Sequence, residues 1–362
     1  MFADRLKLAR KKAGYSLRGL SDALDNKVSA QAIGKYERDQ MMPASDVLTA
    51  MAKVLDVNLE YLLSNQVKEL SGVEFRKKSG TSVKDRSRVE ATVIERVERY
   101  LSVEEILELD SAEWHQPFDP VRLETLEAAE QLAERLREEW DLGIDPIPNM
   151  TELLEEKGIK VLVIELPEKV SGLTCLVDRG EGKALVPVIV VNKDFPLERR
   201  RFTLAHELGH RLIDESSPID HEKASDIFAG SFLVNSEHLR GEIGSQRHSV
   251  SFPELIDLKR LYRVSAASML MRFKQAGILS ESAVAYAFQT FARSWRREEP
   301  RPLEAENQKG TFERPKRFER LCYWALSEKL ISPAKASEFL QIPYFKMEQV
   351  LQGNVEEYEN NN

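Results

Sequence analysis

The sequence has little cysteine and no long apolar run. Cys175 and Cys322 are the only cysteines among 362 residues, which excludes a framework of disulfides. No stretch approaches the apolar length of a membrane-spanning helix, and the first residues lack the hydrophobic region of a secretion signal. We therefore expect a cytoplasmic protein that does not contact a membrane. The length predicts two or three domains.

Negative charge exceeds positive charge overall, but the first 90 residues carry a net positive charge. The formal net charge is −8. Residues 1–90 carry 17 Lys and Arg against 12 Asp and Glu, a net of +5, whereas the remainder carries 35 against 48, a net of −13. A basic head on an acidic body is compatible with nucleic-acid contact through the head alone, although chance could produce the same asymmetry.

The first 63 residues show five short helical patterns. Ser16 and Ser29 are placed to cap the second and third helices, and Pro43 opens the fourth. A short second helix that braces a third helix is the arrangement with which helix-turn-helix domains enter the major groove of DNA. The alternative is a small helical bundle with a solvated polar face.

Five polar residues would then face DNA. Ser29, Gln31 and Lys35 would lie in the groove, where Gln31 could pair with adenine and Lys35 with guanine. Arg18 at the start of the second helix and Arg38 at the end of the third are better placed for phosphate.

The segments RLKLARKKAGYSLRGLSDAL and VSAQAIGKYERDQMMPASDVLTAMAKVLDVNLEYLL resemble the lambda-repressor-like (XRE) helix-turn-helix family over about the first 65 residues. The resemblance implies an all-α domain that binds a palindromic double-stranded DNA operator as a homodimer. Arg18 departs from the family, which commonly carries glutamine there. The individual base and phosphate contacts are therefore left open.

Two polar segments are predicted as linkers. Residues 64–82 are rich in lysine, serine and glycine, and a flexible linker there would leave the head free to move. Residues 295–312, which read WRREEPRPLEAENQKGTF, are predicted as a second linker and precede a helical cluster at 313–352. Apolar residues at helical spacing predict a connecting helix over 83–109 and another helix over 121–140.

The pattern then changes to short apolar runs. Residues 159–166, 171–178 and 186–192 are separated by glycine and proline, and they predict three strands of a small sheet. Further helices are predicted over 196–214, 222–234, 253–262, 266–275 and 281–293.

The segment RFTLAHELGHRLI contains a metal-binding pattern. His206 and His210 are four residues apart, so on a helix the two imidazoles share a face and can bind one Zn²⁺. Glu207 is rotated by about 100° from His206, which lets it reach a metal-bound water without binding the metal. Zinc lowers the pKa of such a water toward about 7, and Glu207 can accept its proton. An exposed His/Glu face is the alternative, but the rest of the segment is mostly apolar.

A catalytic zinc ion needs a third protein ligand and an open position. In the segment HEKASDIFAGSFLV, Glu222 and Asp226 are four residues apart and share a helix face. Glu222 is predicted as the third ligand, and Asp226 could orient a zinc-bound histidine through its second ring nitrogen. The alternatives are His221 as the ligand, or Glu222 as an ordinary charge at a helix start.

The segments TLAHELGH, EKASDIFAGSFLV, SGLTCLVD, VIVVN and LYRVSAASMLMRFKQAGIL resemble the ImmA/IrrE family of metallopeptidases over about residues 120–280. The resemblance implies His206 and His210 as zinc ligands and Glu207 as the catalytic acid and base. It also implies cleavage of a helix-turn-helix repressor, which releases stress, phage or mobile-element genes. The chain reads FLVN at 232–235 where the family usually has LLMP, which could change the substrate cleft.

Three other residues could act at this site. Cys175, in the strand region before the motif helix, could occupy the open zinc position as a thiolate, although a buried small apolar residue is the simpler interpretation. His238 or His248 could stabilise a tetrahedral oxyanion, or either could be an ordinary surface histidine.

Together these patterns predict a mainly α protein with a small β-sheet, of the α+β class, with a zincin-like peptidase domain. The predicted divisions are a helix-turn-helix domain at 1–66, a linker and connecting helix at 67–119, a zinc metallopeptidase domain at 120–294, and a linker and helical region at 295–362. The predicted function is a DNA-binding regulator with a zinc endopeptidase that cleaves a repressor-type protein or itself. The alternative is a transcription regulator whose zinc domain is a non-proteolytic sensor.

Overall fold

The computed structural model describes residues 2–63, 67, 69–71, 83–109, 114, 116–180, 183–295 and 297–352. Most of the segment predicted as the first linker, 64–82, lies outside the described residues. None of the described helices is both long and apolar enough to cross a membrane. The fold is of the α+β class, as the sequence predicted, with a small sheet among many helices.

The head is all-α. Its helices are α1 (Phe2–Lys12), α2 (Leu17–Ala23), α3 (Ala30–Tyr36), α4 (Ser45–Leu55) and α5 (Leu59–Leu63). The hydroxyl of Ser16 accepts a hydrogen bond from the Gly19 N–H (2.9 Å), and that of Ser29 accepts one from the Ala32 N–H (3.2 Å). Both serines therefore begin the helices that the sequence assigned to them, because each satisfies an amide that has no partner within the helix.

The remaining elements include a long connecting helix, α6. Before and within the central region they are β1 (Glu69–Ser71), α6 (Val83–Ile106), α7 (Ala128–Glu139), α8 (Met150–Glu156), β2 (Lys160–Ile164), β3 (Gly172–Asp178), β4 (Val186–Asn192), α9 (Leu197–Leu212) and α10 (His221–Leu233). Toward the C-terminus they are α11 (Ser236–Ile243), α12 (Phe252–Tyr262), α13 (Ala266–Gln275), α14 (Glu281–Gln289), a 3-10 turn (Glu306–Gln308), α15 (Arg317–Ser327), α16 (Pro333–Leu340) and α17 (Tyr344–Leu351).

Four strands form one mixed sheet in the order β1-β3-β4-β2. Strand β2 is parallel to β4, whereas β3 is antiparallel to both β4 and β1. The sequence predicted β2, β3 and β4 but not β1, which lies in the polar segment assigned to a linker. Leu70 pairs with Val177, so backbone pairing with β3, and not local composition, makes this segment a strand.

Both faces of the sheet are buried. Successive residues of a strand point to opposite faces, so each strand contributes to two cores. On one face, Ile189 and Val191 pack in a core that includes α9 and α10. On the other face, Leu173 packs in a second core that includes Leu6 of the head and Val97 of α6. The head therefore shares a hydrophobic core with the body, and the prediction of a freely moving head was wrong.

Polar contacts reinforce this docking. Arg5 of α1 forms a buried ion pair with Glu98 of α6 and donates a hydrogen bond to the Val67 carbonyl (2.9 Å). Lys12 lies 2.7 Å from a carboxylate oxygen of Glu95.

Residues 297–312, which belong to the segment predicted as a second linker, form a strap across the start of α9. Glu304 is 1% exposed and pairs with Arg200 (2.9 Å). Just beyond the segment, Glu313 forms a buried ion pair with Arg201. Polar composition predicts a solvated linker, and it cannot distinguish one from a segment whose carboxylates pair with buried arginines.

Two local differences concern helices. The helix predicted over 121–140 begins only at Ala128, because Val121 forms an isolated bridge with the end of α9: its N–H donates to the Leu212 carbonyl (2.8 Å), and its carbonyl accepts from the Asp214 N–H (3.0 Å). Helices α8 and α11 were not predicted, since both are short.

The C-terminal helices pack on the connecting helix. Leu321, Phe339 and Met347, from α15, α16 and α17, form a third core with Tyr100 and Val103 of α6. Helix α6 therefore contacts the head on one side and the C-terminal helices on another. The predicted helical cluster at 313–352 is present as three helices.

Candidate metal centre

Three side chains with metal-binding atoms meet where α9 packs on α10. His206 and His210 lie on α9 and Glu222 lies on α10, and their candidate ligand atoms are all within 4.8 Å of one another. The two Nε2 atoms are 2.9 Å apart, and oxygens of Glu222 lie 3.8 Å from His206 Nε2 and 3.6 Å from His210 Nε2. Within the described ranges, no other three His, Cys, Asp or Glu residues form such a group.

The donor set and its spacing suit a zinc ion. Two imidazole nitrogens and one carboxylate are a ligand set of catalytic zinc sites, which keep a fourth position open. Tetrahedral zinc with bonds of about 2.0 Å separates its ligand atoms by about 3.3 Å. The observed separations of 2.9, 3.6 and 3.8 Å lie on either side of that value. The residues present therefore fit the ion.

Asp226 contacts one of the two histidines. Its Oδ1 lies 2.7 Å from His206 Nδ1, while the His206 side chain is 1% exposed and the Asp226 side chain is 58% exposed. This contact leaves His206 Nε2 facing His210 and Glu222. Asp226 is one turn after Glu222 on α10, as the spacing in the sequence suggested.

Gly209 explains how α10 comes so close to α9. A Cβ atom at this position would lie 3.0 Å from Phe228 Cδ1 and 3.4 Å from Ser225 Cα. The missing side chain lets the two helices approach, which brings Glu222 within reach of the histidines.

Glu207, beside His206 on α9, is buried, with 4% exposure.

The residues assigned to DNA are at the surface of the head. Arg18, Ser29, Gln31, Lys35 and Arg38 are all exposed. The Ser29 hydroxyl also caps α3, so this residue fixes the start of the helix that carries Gln31 and Lys35.

Comparison with known proteins finds two family models that match different parts of the chain. Residues 6–62 match the family model described as helix-turn-helix, and residues 154–274 match the peptidase M78 family model, described as IrrE N-terminal-like domain. The chain joins a helix-turn-helix domain to an IrrE-like domain. A metal is implied by this peptidase family.

One curated relative matches the helix-turn-helix part of the chain alone. It is the SPbeta prophage-derived uncharacterized HTH-type transcriptional regulator YonR of Bacillus subtilis (strain 168), which is 36% identical over 63 residues. The match covers 17% of this chain and 56% of the relative. No solved structure matches the chain.

Sequence reasoning missed one ion pair that holds the helix-turn-helix domain together. Arg10 of α1 contacts both carboxylate oxygens of Glu37, at 2.6 and 2.9 Å, and donates to the Tyr15 carbonyl (2.7 Å). It thereby ties α1 to the end of α3. Glu37 stands in the KYER segment that carries the family resemblance, but sequence alone does not show its partner.

Two other candidate ligands in the IrrE-like domain lie away from the metal cluster. His221 Nε2 is 3.1 Å from the Ser217 carbonyl oxygen. A Cβ atom on Gly172 would lie 2.4 Å from Thr203 Cγ2, so Gly172 faces α9, and Cys175, three residues later, faces the other side of the sheet. Burial in the second core raises the pKa of the Cys175 thiol to about 12. Cys175 is thus a buried residue of the second core and does not belong to the group formed by His206, His210 and Glu222.

The two histidines considered for an oxyanion also lie outside the metal cluster. His238 Nδ1 is 2.7 Å from the Tyr262 hydroxyl, and its Nε2 is 3.7 Å from Asp145. His248 is exposed. Neither contributes an atom to the group formed by His206, His210 and Glu222.

Proposed function

We propose that the chain is a cytoplasmic DNA-binding regulator whose IrrE-like domain is a zinc endopeptidase. The observation that carries this proposal is the convergence of His206, His210 and Glu222 beside the buried Glu207. When bound, zinc supplies a Lewis acid that polarises a carbonyl and acidifies a coordinated water.

Each side chain of the site has a separate role. His206, His210 and Glu222 would hold the ion. Asp226 accepts a hydrogen bond from His206 Nδ1–H, which fixes the tautomer that presents Nε2 to the ion. Glu207 accepts a proton from the attacking water and delivers it to the leaving amine.

The proposed substrate is a helix-turn-helix repressor, or the chain itself, in a stress, phage or mobile-element response. The prophage origin named for the curated relative supports this setting. The proposed partner of the head is a double-stranded DNA operator, bound by a homodimer through Arg18, Ser29, Gln31, Lys35 and Arg38.

The test is cleavage of the repressor encoded beside this chain by the purified full-length protein with zinc, followed on a gel. Elemental analysis should find one zinc per chain. We expect Glu207→Gln to retain zinc and lose cleavage, because glutamine keeps the shape but cannot accept the proton. Glu237→Gln, an exposed site on α11, is the matched control.

Two outcomes would contradict this assignment. Zinc below about 0.2 equivalents after reconstitution would refute the metal site, since a three-ligand site normally retains its ion. Cleavage by Glu207→Gln at the wild-type rate would refute the role of Glu207 as general base.

A second candidate function is a sensor without proteolysis, and the core shared between head and sheet favours it. Loss of zinc at α9 would then change the structure of the sheet, and through the shared core it would change the DNA affinity of the head. Operator affinity of the full chain, measured with and without a chelator, tests this candidate. Equal affinities would rule it out, and altered affinity without cleavage of any repressor would support it.

A further inference from the structure

A cleft of about 820 Å³ lies where the head, α6 and the C-terminal helices meet. Lys53 and Val57 of the head, Arg99 of α6 and Phe339 of α16 form part of its wall. None of the residues of the metal cluster lines it. Small-molecule sites have volumes of roughly 300–1,000 Å³ and occur preferentially at domain junctions, so both the size and the place suit a ligand.

Most carboxylates of the cleft already have a cationic partner. The pairs are Glu98 with Arg5, Glu95 with Lys12 (2.7 Å), Glu60 with Lys335 (2.7 Å) and Glu338 with Lys335 (3.2 Å). Asp56 is exposed at the border. The negative charge of the wall is therefore largely neutralised by Arg5, Lys12 and Lys335.

Arg99 is not neutralised in this way. Its Nη1 donates a hydrogen bond to the Phe339 carbonyl (2.8 Å), but its buried Nε has no hydrogen-bond partner. In the part of the chain that the structure describes, Arg99 forms no ion pair within 4.0 Å; Glu95 and Glu338 act on it only from further away. Arginine stays protonated in proteins, and a partly buried charge without a counterion is costly.

We propose that this cleft binds a small amphipathic anion, whose carboxylate, sulfonate or phosphate group pairs with Arg99. Its apolar part would lie against Phe339 and Val57, and Lys53 at the exposed border would supply a second positive charge. The ligand would contact the head, α6 and α16 at once. Its binding therefore links the DNA-binding domain to the C-terminal helices, independently of any peptidase activity.

The probe for the test is 8-anilinonaphthalene-1-sulfonate, an aromatic sulfonate, titrated calorimetrically into the zinc-loaded full chain. We expect one site per chain. Arg99→Met should weaken binding at least tenfold, and Arg99→Lys should weaken it less because the charge remains. Val57→Trp, which adds bulk at the apolar part of the wall, should weaken binding. Arg88→Met changes an exposed arginine of the same helix outside the cleft and should bind as the unmodified chain does.

An uncharged analogue, N-phenyl-1-naphthylamine, distinguishes the contribution of the ion pair from that of apolar contacts. Its affinity should be the same for the unmodified chain and for Arg99→Met. The proposal is overturned if the sulfonate binds no site, if Arg99→Met and Arg88→Met bind it equally, or if Val57→Trp has no effect. It is also overturned if Arg99→Met loses both probes alike, because Arg99 would then only support the cleft. Thermal melting checks each variant for folding, and Val57→Trp with Arg99→Lys decides the question if Arg99→Met does not fold.

Discussion

Glu155, near the end of α8, makes the stability of the protein depend on pH. Its side chain is 3% exposed, Oε2 accepts a hydrogen bond from the Arg317 N–H (3.3 Å), and Oε1 has no hydrogen-bond partner among the described residues. Burial raises the pKa of this carboxyl to about 7, although that hydrogen bond and the cations Arg320, Arg317 and Lys160 act in the opposite direction. The site joins the IrrE-like domain to the C-terminal helices.

The sign of the effect follows from the raised pKa. Below about pH 4.5 the carboxyl is protonated in the folded and the unfolded chain, and its contribution to stability is fully present. As the pH rises, the unfolded chain loses this proton first, so stability is lost progressively until the folded pKa near 7 is passed. The difference between the two pKa values corresponds to about 3 kcal/mol.

Glu155→Gln removes this titration while keeping an oxygen for the Arg317 N–H. At pH 5 we expect the variant and the unmodified chain to melt at similar temperatures. At pH 8.5 the variant should melt higher, by on the order of 5 °C, because a neutral amide replaces a buried charge. Differential scanning calorimetry at both pH values measures this, and Glu156→Gln, an exposed neighbour on α8, is the control. A difference that does not change with pH, or a variant that melts lower at pH 8.5, would refute the reasoning.

Three further predictions follow from ion pairs and exposed side chains. Asp226→Ala should weaken zinc binding by about tenfold, the lower end of the usual range because Asp226 is half exposed; competition with a chelator measures this, and an affinity equal to that of Asp257→Ala would contradict it. Glu304→Ala should destabilise the protein by about 3–5 kcal/mol, because it leaves a buried arginine unpaired; a loss below about 1 kcal/mol in denaturant would show that the strap contributes little. Gln31→Ala and Lys35→Ala should each cost about 1–3 kcal/mol of preference for the protein's own promoter over random DNA; fluorescence anisotropy with the full chain measures both affinities, and an unchanged ratio would exclude these base contacts.

The local patterns that predicted structure correctly are those with a short-range cause. Ser16 and Ser29 cap helices because their hydroxyls reach an amide three residues later. The spacing of His206 and His210 placed both imidazoles on one side of α9, and the same periodicity placed Glu222 and Asp226 together on α10.

What the sequence did not reveal depends on distant partners. Residues 69–71 form strand β1 because they pair with β3. Glu304 is buried because it forms an ion pair with Arg200, which lies more than 100 residues earlier in the chain. The docking of the head likewise depends on Arg5 meeting Glu98. Cys175 lies on the face of the sheet opposite α9, and the packing of Gly172 against α9, which the sequence does not show, determines this.

The burial of both faces of the sheet has a consequence for how such a chain can be shortened or recombined. A fragment that ends after α5 would expose the apolar side of α1, and a body without the head would expose the side of the sheet and of α6 that carries Leu173 and Val97. Each half would then present to water a surface of the kind that promotes aggregation. The fusion is therefore not a pair of interchangeable modules: a different head could replace this one only if its first helix carried matching apolar residues.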